Sequence, residues 1–594
     1  MDNMDNMDKK TKINTKINTK KYKKMNKTKK ISIYNTFTQN FWDLLIKLRT
    51  TYIFGLPGGI LSILTKKIPS ELKWIDVNIE IQNGFVAQIY GKYTDDVGIV
   101  FLSPGPGFVT AMSSLYNAVN ESNPLMAISV FDNDVDFFDF QSFDIIGVSK
   151  KMTKNVFVIN NYNDIYKIVE AHTISKNQMT LSIILLNVKL VSSNNSYKKV
   201  NITTINKISQ KYNLNMNMHS NKIIKTLEHL NNTDFLVVLG KLKLNSYDAV
   251  INFIQKNNLP YVTTWGGRLI IKDTIYCGRI GGLGNHSANY ALYNCKNLLL
   301  IGDIFYETSI IYKYKFGIIF EENKNIFSLS HNEYNLKSTS HNSFLINNYD
   351  EILDKLHISS NKTWCERLIK SNQILLCDLQ VKGNLEKYTY ISSKVYKENE
   401  LKIHVACDVG NNWYAMGKYM DITTPGAFES SVRWASIGTG IANALGIYYA
   451  TKKPVWCFVG DGGLLWSSSN LLYLLNNTHL PITVFIFINN LYGAISEAFE
   501  TLHVKPNVTD ILPDIPILKS LPNCHIFNDE TKYYNYLSNN LTSNKLRFII
   551  LNLGNNYVNS NVYEININKE YITQLKQDDF NNIIKNKEVF IFEK

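Results

Sequence analysis

The sequence predicts an α/β protein made of three consecutive doubly wound domains, each built on a parallel sheet. Three observations predict it. The chain is 594 residues long, more than one hydrophobic core can serve, so several domains are expected. Short apolar runs bounded by Gly and Pro turns recur along it, as in strands buried on both faces. These runs alternate with helix-like segments, which implies crossover connections and parallel pairing.

The first block spans residues 31–191. Its strands are read near 51–55, 97–102 and 125–130, and the first two run into Leu56-Pro57-Gly58-Gly59 and Ser103-Pro104-Gly105-Pro106-Gly107. An Asn- and Ser-rich stretch at 192–217 reads as a linker. A middle block, 218–370, carries strands near 235–240, 261–264 and 297–302. The third block, 385–575, has strands near 403–407, 455–459, 482–488 and 548–551. Sheets of this kind hold ligands beyond the carboxyl ends of their strands, where the Gly-rich turns lie here.

Hydrophobic residues make up 45% and charged residues 19%, as in a globular chain. The net charge of +13 suggests nucleic acid only until it is located: residues 1–30 hold eleven Lys, three Asp and no Arg. The rest of the chain carries about +5, ordinary for a soluble enzyme. The tail is expected to be a disordered basic arm, and no specific nucleic-acid partner is expected. With three Asp and no Arg it is a poor mitochondrial presequence, and no signal-peptide core follows it. No run of about 18 apolar residues occurs, so no membrane span is expected. Seven cysteines, with no C-x-x-C pair, point to reduced thiols, no structural zinc and a cytoplasmic protein.

The strongest motif is Val455-Trp-Cys-Phe-Val-Gly460-Asp461-Gly462-Gly463, a strand ending in a Gly-Asp-Gly turn. Glycines let the backbone approach a diphosphate, and the carboxylate suits Mg2+, a cation that takes oxygen ligands. Many α/β proteins have such a turn. The segment 463–488 then supplies a helix and a strand, and Asn489-Asn490-Leu491-Tyr492-Gly493 follows.

This spacing resembles the thiamine-diphosphate (ThDP) enzymes, in the group of acetolactate synthase, pyruvate decarboxylase and benzoylformate decarboxylase. The resemblance covers roughly residues 31–560. It implies a first domain binding the cofactor's pyrimidine, a middle domain, and a third binding its diphosphate and Mg2+. Asp461, Asn489 and the Leu491 carbonyl are the implied metal ligands, with Asn490 as the alternative; the register follows Tyr492, which lies three residues after Asn489. Gly460, Gly462, Gly463 and Tyr492 join the cofactor set. Asp408-Val-Gly410-Asn411-Asn412-Trp resembles a diphosphate-contacting segment of acetolactate synthase, which assigns Gly410, Asn411 and Asn412. Trp434-Ala435-Ser-Ile437-Gly resembles Trp-Gly-Ser-Ile-Gly of pyruvate decarboxylase. There the Ile bends the cofactor and the carbonyl two residues earlier, Ala435 here, accepts from its 4′-amino group.

Glu80, Phe85, Ala87 and Tyr90 match family offsets in the run that carries the activating carboxylate. Glu80 would then hold the proton at N1′ of the pyrimidine; by itself it reads as a helix N-terminal Glu. The resemblance also assigns Pro57 and Gly58 to the pyrimidine pocket. In the family this pocket completes the site across subunits, so a homodimer or homotetramer is expected.

The reaction is read from the remaining residues. The first motif ends Pro57-Gly58-Gly59 where pyruvate decarboxylase has Pro-Gly-Asp, and no His-His pair occurs. Phe140-Gln141-Ser-Phe-Asp144 through Thr153-Lys154 and the Gly281–Leu292 run resemble acetolactate synthase instead. Gln141 is the candidate for orienting substrate, and reads equally well as a turn residue. Pro104 departs from the family's Ser-Gly-Pro-Gly turn, and the segment after Tyr492 departs from the family pattern and leaves the acceptor open. The middle domain lacks the Gly-rich turn and Arg of an FAD site, so no tightly bound FAD is expected. The expected activity is decarboxylation of a 2-oxo acid with carboligation. The alternatives are simple non-oxidative decarboxylation, or a ThDP-fold protein that has lost catalysis.

Overall fold

The computed structural model describes residues 34–554, apart from 133–140, 215–219, 282–283, 305–323, 334–341, 347, 376–380, 382, 497–517 and 519. The basic tail, Phe140 and the end of the third block therefore lie outside the described residues.

Three six-stranded sheets, each wholly parallel, follow one another along the chain. A short antiparallel pair, β1 (Tyr34–Asn35) with β8 (Tyr197–Lys198), brackets the first. The first sheet holds β2 (Tyr52–Gly55), β3 (Lys73–Ile75), β4 (Gly98–Phe101), β5 (Leu125–Phe131), β6 (Val156–Ile159) and β7 (Leu181–Asn187) in the order β3-β2-β4-β5-β7-β6. The middle sheet holds β9 (Phe235–Leu239), β10 (Pro260–Thr263), β11 (Ile275–Arg279), β12 (Asn297–Ile301), β13 (Asn325–Ser330) and β14 (Asn342–Leu345). Its order is β11-β10-β9-β12-β13-β14. The third holds β15 (His404–Cys407), β16 (Phe428–Glu429), β17 (Val455–Gly460), β18 (Ile482–Ile488), β19 (Cys524–Phe527) and β20 (Arg547–Asn552), in the order β16-β15-β17-β18-β20-β19.

The first and third sheets share one strand order, and the middle sheet has another. In each, the connections leave a central pair of neighbouring strands in opposite directions: β2 and β4, β9 and β12, and β15 and β17. Ligands of doubly wound sheets sit at such switch points, beyond the strand ends. The Leu-Pro-Gly-Gly and Ser-Pro-Gly-Pro-Gly turns follow β2 and β4. The Asp408-Val-Gly and Gly-Asp-Gly turns follow β15 and β17. The motifs thus flank two of the three switch points.

The predicted strands all form, because each is an apolar run long enough to be buried on both faces; β5, β7, β9 and β12 are buried at every residue. The short edge strands β3, β14, β16 and β19 carried no such run. The stretch read as a linker, 192–217, instead contains β8 and the helix Ile202–Leu214. Val200 and Ile205 in it are buried against the outer face of the first sheet, which is what orders a polar segment.

One helix pair joins the first and third domains. The helix Glu80–Tyr93 is buried from Gln82 onward and packs on the helix Gly440–Thr451, so a single apolar cluster spans both sheets. Gly446 lets them approach: a Cβ there would stand 2.7 Å from the Val86 carbonyl oxygen and the Ile89 Cβ. The buried polar groups of the Glu80 helix are satisfied. Gln88 accepts from Asn117 at 2.7 Å and Asn123 at 2.9 Å, and Gln82 accepts from Asn470 at 2.6 Å.

Among the described residues the cysteines are free thiols, four of them buried. No described helix is long and apolar enough to cross a membrane.

Candidate active site

At the third-sheet switch point, β17 delivers Asp461 to the first position of a short helix, Asp461–Trp466. Its carboxylate is buried. Oδ2 accepts the backbone N–H groups of Asn489 at 2.9 Å and Asn490 at 2.6 Å, and Oδ1 that of Gly462 at 2.9 Å. Burial pushes its pKa up, and these three donors oppose that. A carboxylate has lone pairs to spare beyond these bonds, and a divalent cation would stabilise the charged form.

Asn489 and Asn490 behave differently. Asn490 is exposed, with left-handed φ of 56°. Asn489 is half-buried, and its Oδ1 accepts the Leu491 N–H at 3.3 Å. Its side chain lies beside that of Asn411: a Cβ on Gly493 would stand 2.6 Å from Asn411 Nδ2 and 2.8 Å from Asn489 Nδ2. Tyr492 is half-buried and begins the next turn, its carbonyl accepting from Ile495 and Ser496.

Across the switch point, Gly410 caps the helix Asn411–Tyr419 with φ of 129°, a conformation that favours glycine. Asn412 is fixed by a 2.8 Å bond from Nδ2 to the Asp408 carbonyl. Its Oδ1 would lie 3.4 Å from a Cβ on Gly460, so the two turns face each other across a gap kept open by glycine. The helix N-terminus there offers backbone donors to an anion.

Asp408 itself was quoted in the sequence only as the start of a motif. It is fully buried, with its pKa pushed up to about 7 by desolvation. Oδ1 accepts from Val409 at 2.7 Å, Gly438 at 2.9 Å and Thr439 at 3.2 Å. It therefore anchors the end of the turn that carries Ala435 and Ile437. Ala435 is left-handed, with φ of 53°. Ile437 is half-buried. The start of the same turn is tied to the first domain, where Glu121 Oε1 accepts the Arg433 and Trp434 N–H groups at 2.5 and 2.8 Å. Glu121 carries no motif signal; it is one acidic residue in a polar stretch before Pro124.

At the first-sheet switch point, Ser103 Oγ donates to the Gly58 carbonyl at 3.1 Å and so ties the two Gly-rich turns together. Glu80 is half-buried at the first position of its helix. Its Oε1 would stand 3.0 Å from a Cβ on Gly107, so glycine keeps the carboxylate uncovered on that side. Gln141 has left-handed φ of 60°, and its carbonyl would lie 2.7 Å from a Cβ on Gly105. Its Oε1 is buried with no hydrogen-bond partner among the described residues, 3.3 Å from where a Cβ on Gly59 would be. An orphaned acceptor among two glycine turns is a place for a polar ligand group. The structure thus gathers Pro57, Gly58, Glu80 and Gln141 at one switch point and Gly410 to Asn412, Gly460 to Gly463 and Asn489 to Tyr492 at the other. Glu80 and Asp461 begin helices of different domains.

The comparisons with known proteins match this division. The family described as "Thiamine pyrophosphate enzyme, N-terminal TPP binding domain" matches residues 35–139, and "Thiamine pyrophosphate enzyme, C-terminal TPP binding domain" matches 408–518. The chain is an enzyme of the thiamine-diphosphate-dependent class, with both cofactor-binding domains.

Within that class it resembles acetolactate synthase large subunits. That of Buchnera aphidicola subsp. Schizaphis graminum is 24% identical over 443 residues, 71% of this chain and 76% of the relative. That of Haemophilus influenzae is 22% identical over 465 residues, 75% and 81% of the two chains. That of Lactococcus lactis subsp. lactis is 23% identical over 498 residues, 80% and 84%.

Proposed function

We propose that this enzyme uses ThDP and Mg2+ to decarboxylate a 2-oxo acid and join the remaining fragment to a second carbonyl compound, as an acetolactate-synthase-like carboligase. The observation that carries the reading is the pair of glycine-lined switch points, one presenting Glu80 and the other Asp461. The donor set fits the cofactor: an anion cradle at Gly410 to Asn412, a carboxylate of raised pKa, and the orphaned Gln141 oxygen.

Asp461, Asn489 and the Leu491 carbonyl would hold the metal. Asn489 is preferred to Asn490 because it is the less exposed and faces Asn411. Gly460, Gly462 and Gly463, with Gly410 to Asn412, would receive the diphosphate, and Tyr492 would close over it. ThDP, when bound, supplies the electron sink that a 2-oxo acid needs to lose CO2. Glu80 would hold and return the proton at N1′ of its pyrimidine. The Ala435 carbonyl would orient the ring's amino group, and Ile437 would set its bend. Pro57 and Gly58 would line the pyrimidine pocket, and Gln141 would orient the substrate, its Oε1 accepting from a polar group there.

The middle-sheet switch point is closed by reciprocal main-chain bonds between Lys241 and Asp303, of 3.0 and 2.8 Å. That supports a reading without FAD there. A homodimer or homotetramer is proposed because Val109, Tyr116, Trp434, Trp466 and Leu472 are exposed on elements of the two cofactor domains. No nucleic-acid or membrane partner is proposed, since no helix among the described residues is long and apolar enough to cross a membrane, and a cytoplasmic setting suits the free thiols among them.

Product analysis with pyruvate tests the reaction. Acetolactate supports carboligation; acetaldehyde alone would assign simple decarboxylation.

A further inference from the structure

Lys241 follows β9 at the switch point of the middle sheet, where an open sheet of this order ordinarily admits a ligand. Its main chain closes that crevice against Asp303, and its side chain enters the other two domains. Nζ donates to the Glu121 carbonyl at 3.0 Å, to Asn123 Oδ1 at 3.3 Å and to Glu429 Oε1 at 3.3 Å. It lies 3.9 Å from Glu121 Oε2. Glu429 also pairs with Lys92 of the Glu80 helix. All four charged side chains are at most 4% exposed. Two cations and two carboxylates from three domains are thus buried at one point.

Buried ion pairs are seldom the most stabilising filling for such a space; apolar residues often serve as well. What this cluster does have is a directed output. Glu121 Oε1 takes both N–H groups that open the 433–437 turn, Arg433 and Trp434. A second tie runs alongside: Ser431 Oγ donates to Asn117 Oδ1 at 2.7 Å and accepts from the Ser436 N–H at 3.2 Å. Asp408 holds the far end at Gly438 and Thr439. The turn is suspended between two buried carboxylates, one from each cofactor domain. Between them stand Ala435, in a left-handed conformation that alanine keeps only under constraint, and Ile437.

We propose that Glu121 is a positioning residue for the reaction. It fixes the Ala435 carbonyl and the Ile437 side chain for contact with the cofactor, while Lys241 of the middle domain holds Glu121 in place. This rests on the ThDP reading above. It gives the middle domain a role in the chemistry without a bound nucleotide. Charge-assisted bonds to backbone N–H groups are short and directional, which suits a part that must be held to a fraction of an ångström.

The test uses the full chain with ThDP, Mg2+ and pyruvate, in Glu121→Ala, Glu121→Asp and Glu121→Gln. Alanine removes the acceptor, and kcat should fall about 30-fold or more with KM within about 2-fold, as expected when orientation and not binding is lost. The near-ultraviolet circular-dichroism band of the bound aminopyrimidine should disappear, a readout that needs no substrate. Hydrogen exchange at the 433 and 434 amides should quicken. Glutamine keeps an acceptor of the same reach and should restore most of kcat. If the alanine variant does not fold, aspartate carries the test: it keeps the charge but is one methylene short, and kcat should fall about 10-fold at constant KM. Alanine and aspartate variants that bind ThDP with wild-type kcat and dichroism, losing only melting temperature, overturn this proposal alone. Wild type that binds no ThDP overturns the ThDP reading and this one with it.

Discussion

Asp461 and Asn489 are joined by a 2.9 Å hydrogen bond from the Asn489 backbone N–H to the Asp461 carboxylate, and Asn490 adds a second of 2.6 Å. The residue that ends β17 therefore holds the loop that follows β18, before any metal is considered. Asp461→Ala leaves both N–H groups without that partner. Each such loss costs about 1–3 kcal/mol, so the loop at 489–492 should exchange its amide hydrogens at least about 10-fold faster in the cofactor-free protein. Unchanged exchange would show that the loop is held by other contacts.

On the proposed reading Glu80 exchanges a proton with the cofactor, and glycine keeps one side of its carboxylate uncovered. Glu80→Gln should lower turnover of a 2-oxo acid about 10²- to 10⁴-fold, the usual worth of a proton-transfer group. ThDP affinity should change by less than about 5-fold, because glutamine fills the same space. Steady-state kinetics beside calorimetry separates the two effects.

The fold was legible because its central strands are long apolar runs, and the candidate site because its turns are glycine-rich at strand ends. Asp461 and its partners stand out for the same reason: a backbone that must approach a ligand leaves its mark in sequence. Glu121 and Lys241 left none. Their significance lies in contacts across three domains, between residues 118 to 313 positions apart, and local pattern does not encode such distances. The helix at Ile202–Leu214 was missed because a few apolar residues in a polar stretch suffice when a sheet face awaits them.

His404 makes the cofactor-domain interface sensitive to acid. It is buried at the start of β15, its ring edge-on to Tyr93 at 5.1 Å, and Nδ1 has no hydrogen-bond partner among the described residues. Burial pushes its pKa down to about 4, with Lys453 and Lys92 adding to the effect. Below pH 6.5 the unfolded chain takes up a proton that the folded chain refuses. Stability from this group is therefore full above about pH 6.5 and is lost as pH falls through 4, by about 3 kcal/mol. Melting temperature followed from pH 7 to 4 should fall less steeply in His404→Phe; parallel slopes would assign the acid sensitivity elsewhere.

Trp466 is 59% exposed and Leu472 53% exposed on consecutive helices after Asp461. Large apolar side chains at such positions fit a contact with a second copy. Leu472→Asp should lower the mass measured by sedimentation equilibrium toward one chain at micromolar concentration. A wild-type protein that sediments as one chain would contradict the assembly reading.

On the proposed reading, Asp461 and the glycine turns around it bind ThDP through Mg2+. Calorimetric titration of ThDP into the purified protein addresses it directly. Wild type should bind with micromolar or tighter affinity when Mg2+ is present and lose at least about 100-fold when it is chelated. Asp461→Ala should show the weak affinity in both conditions. Wild type that binds no ThDP, or binds it equally with and without Mg2+ and in Asp461→Ala, would contradict the claim.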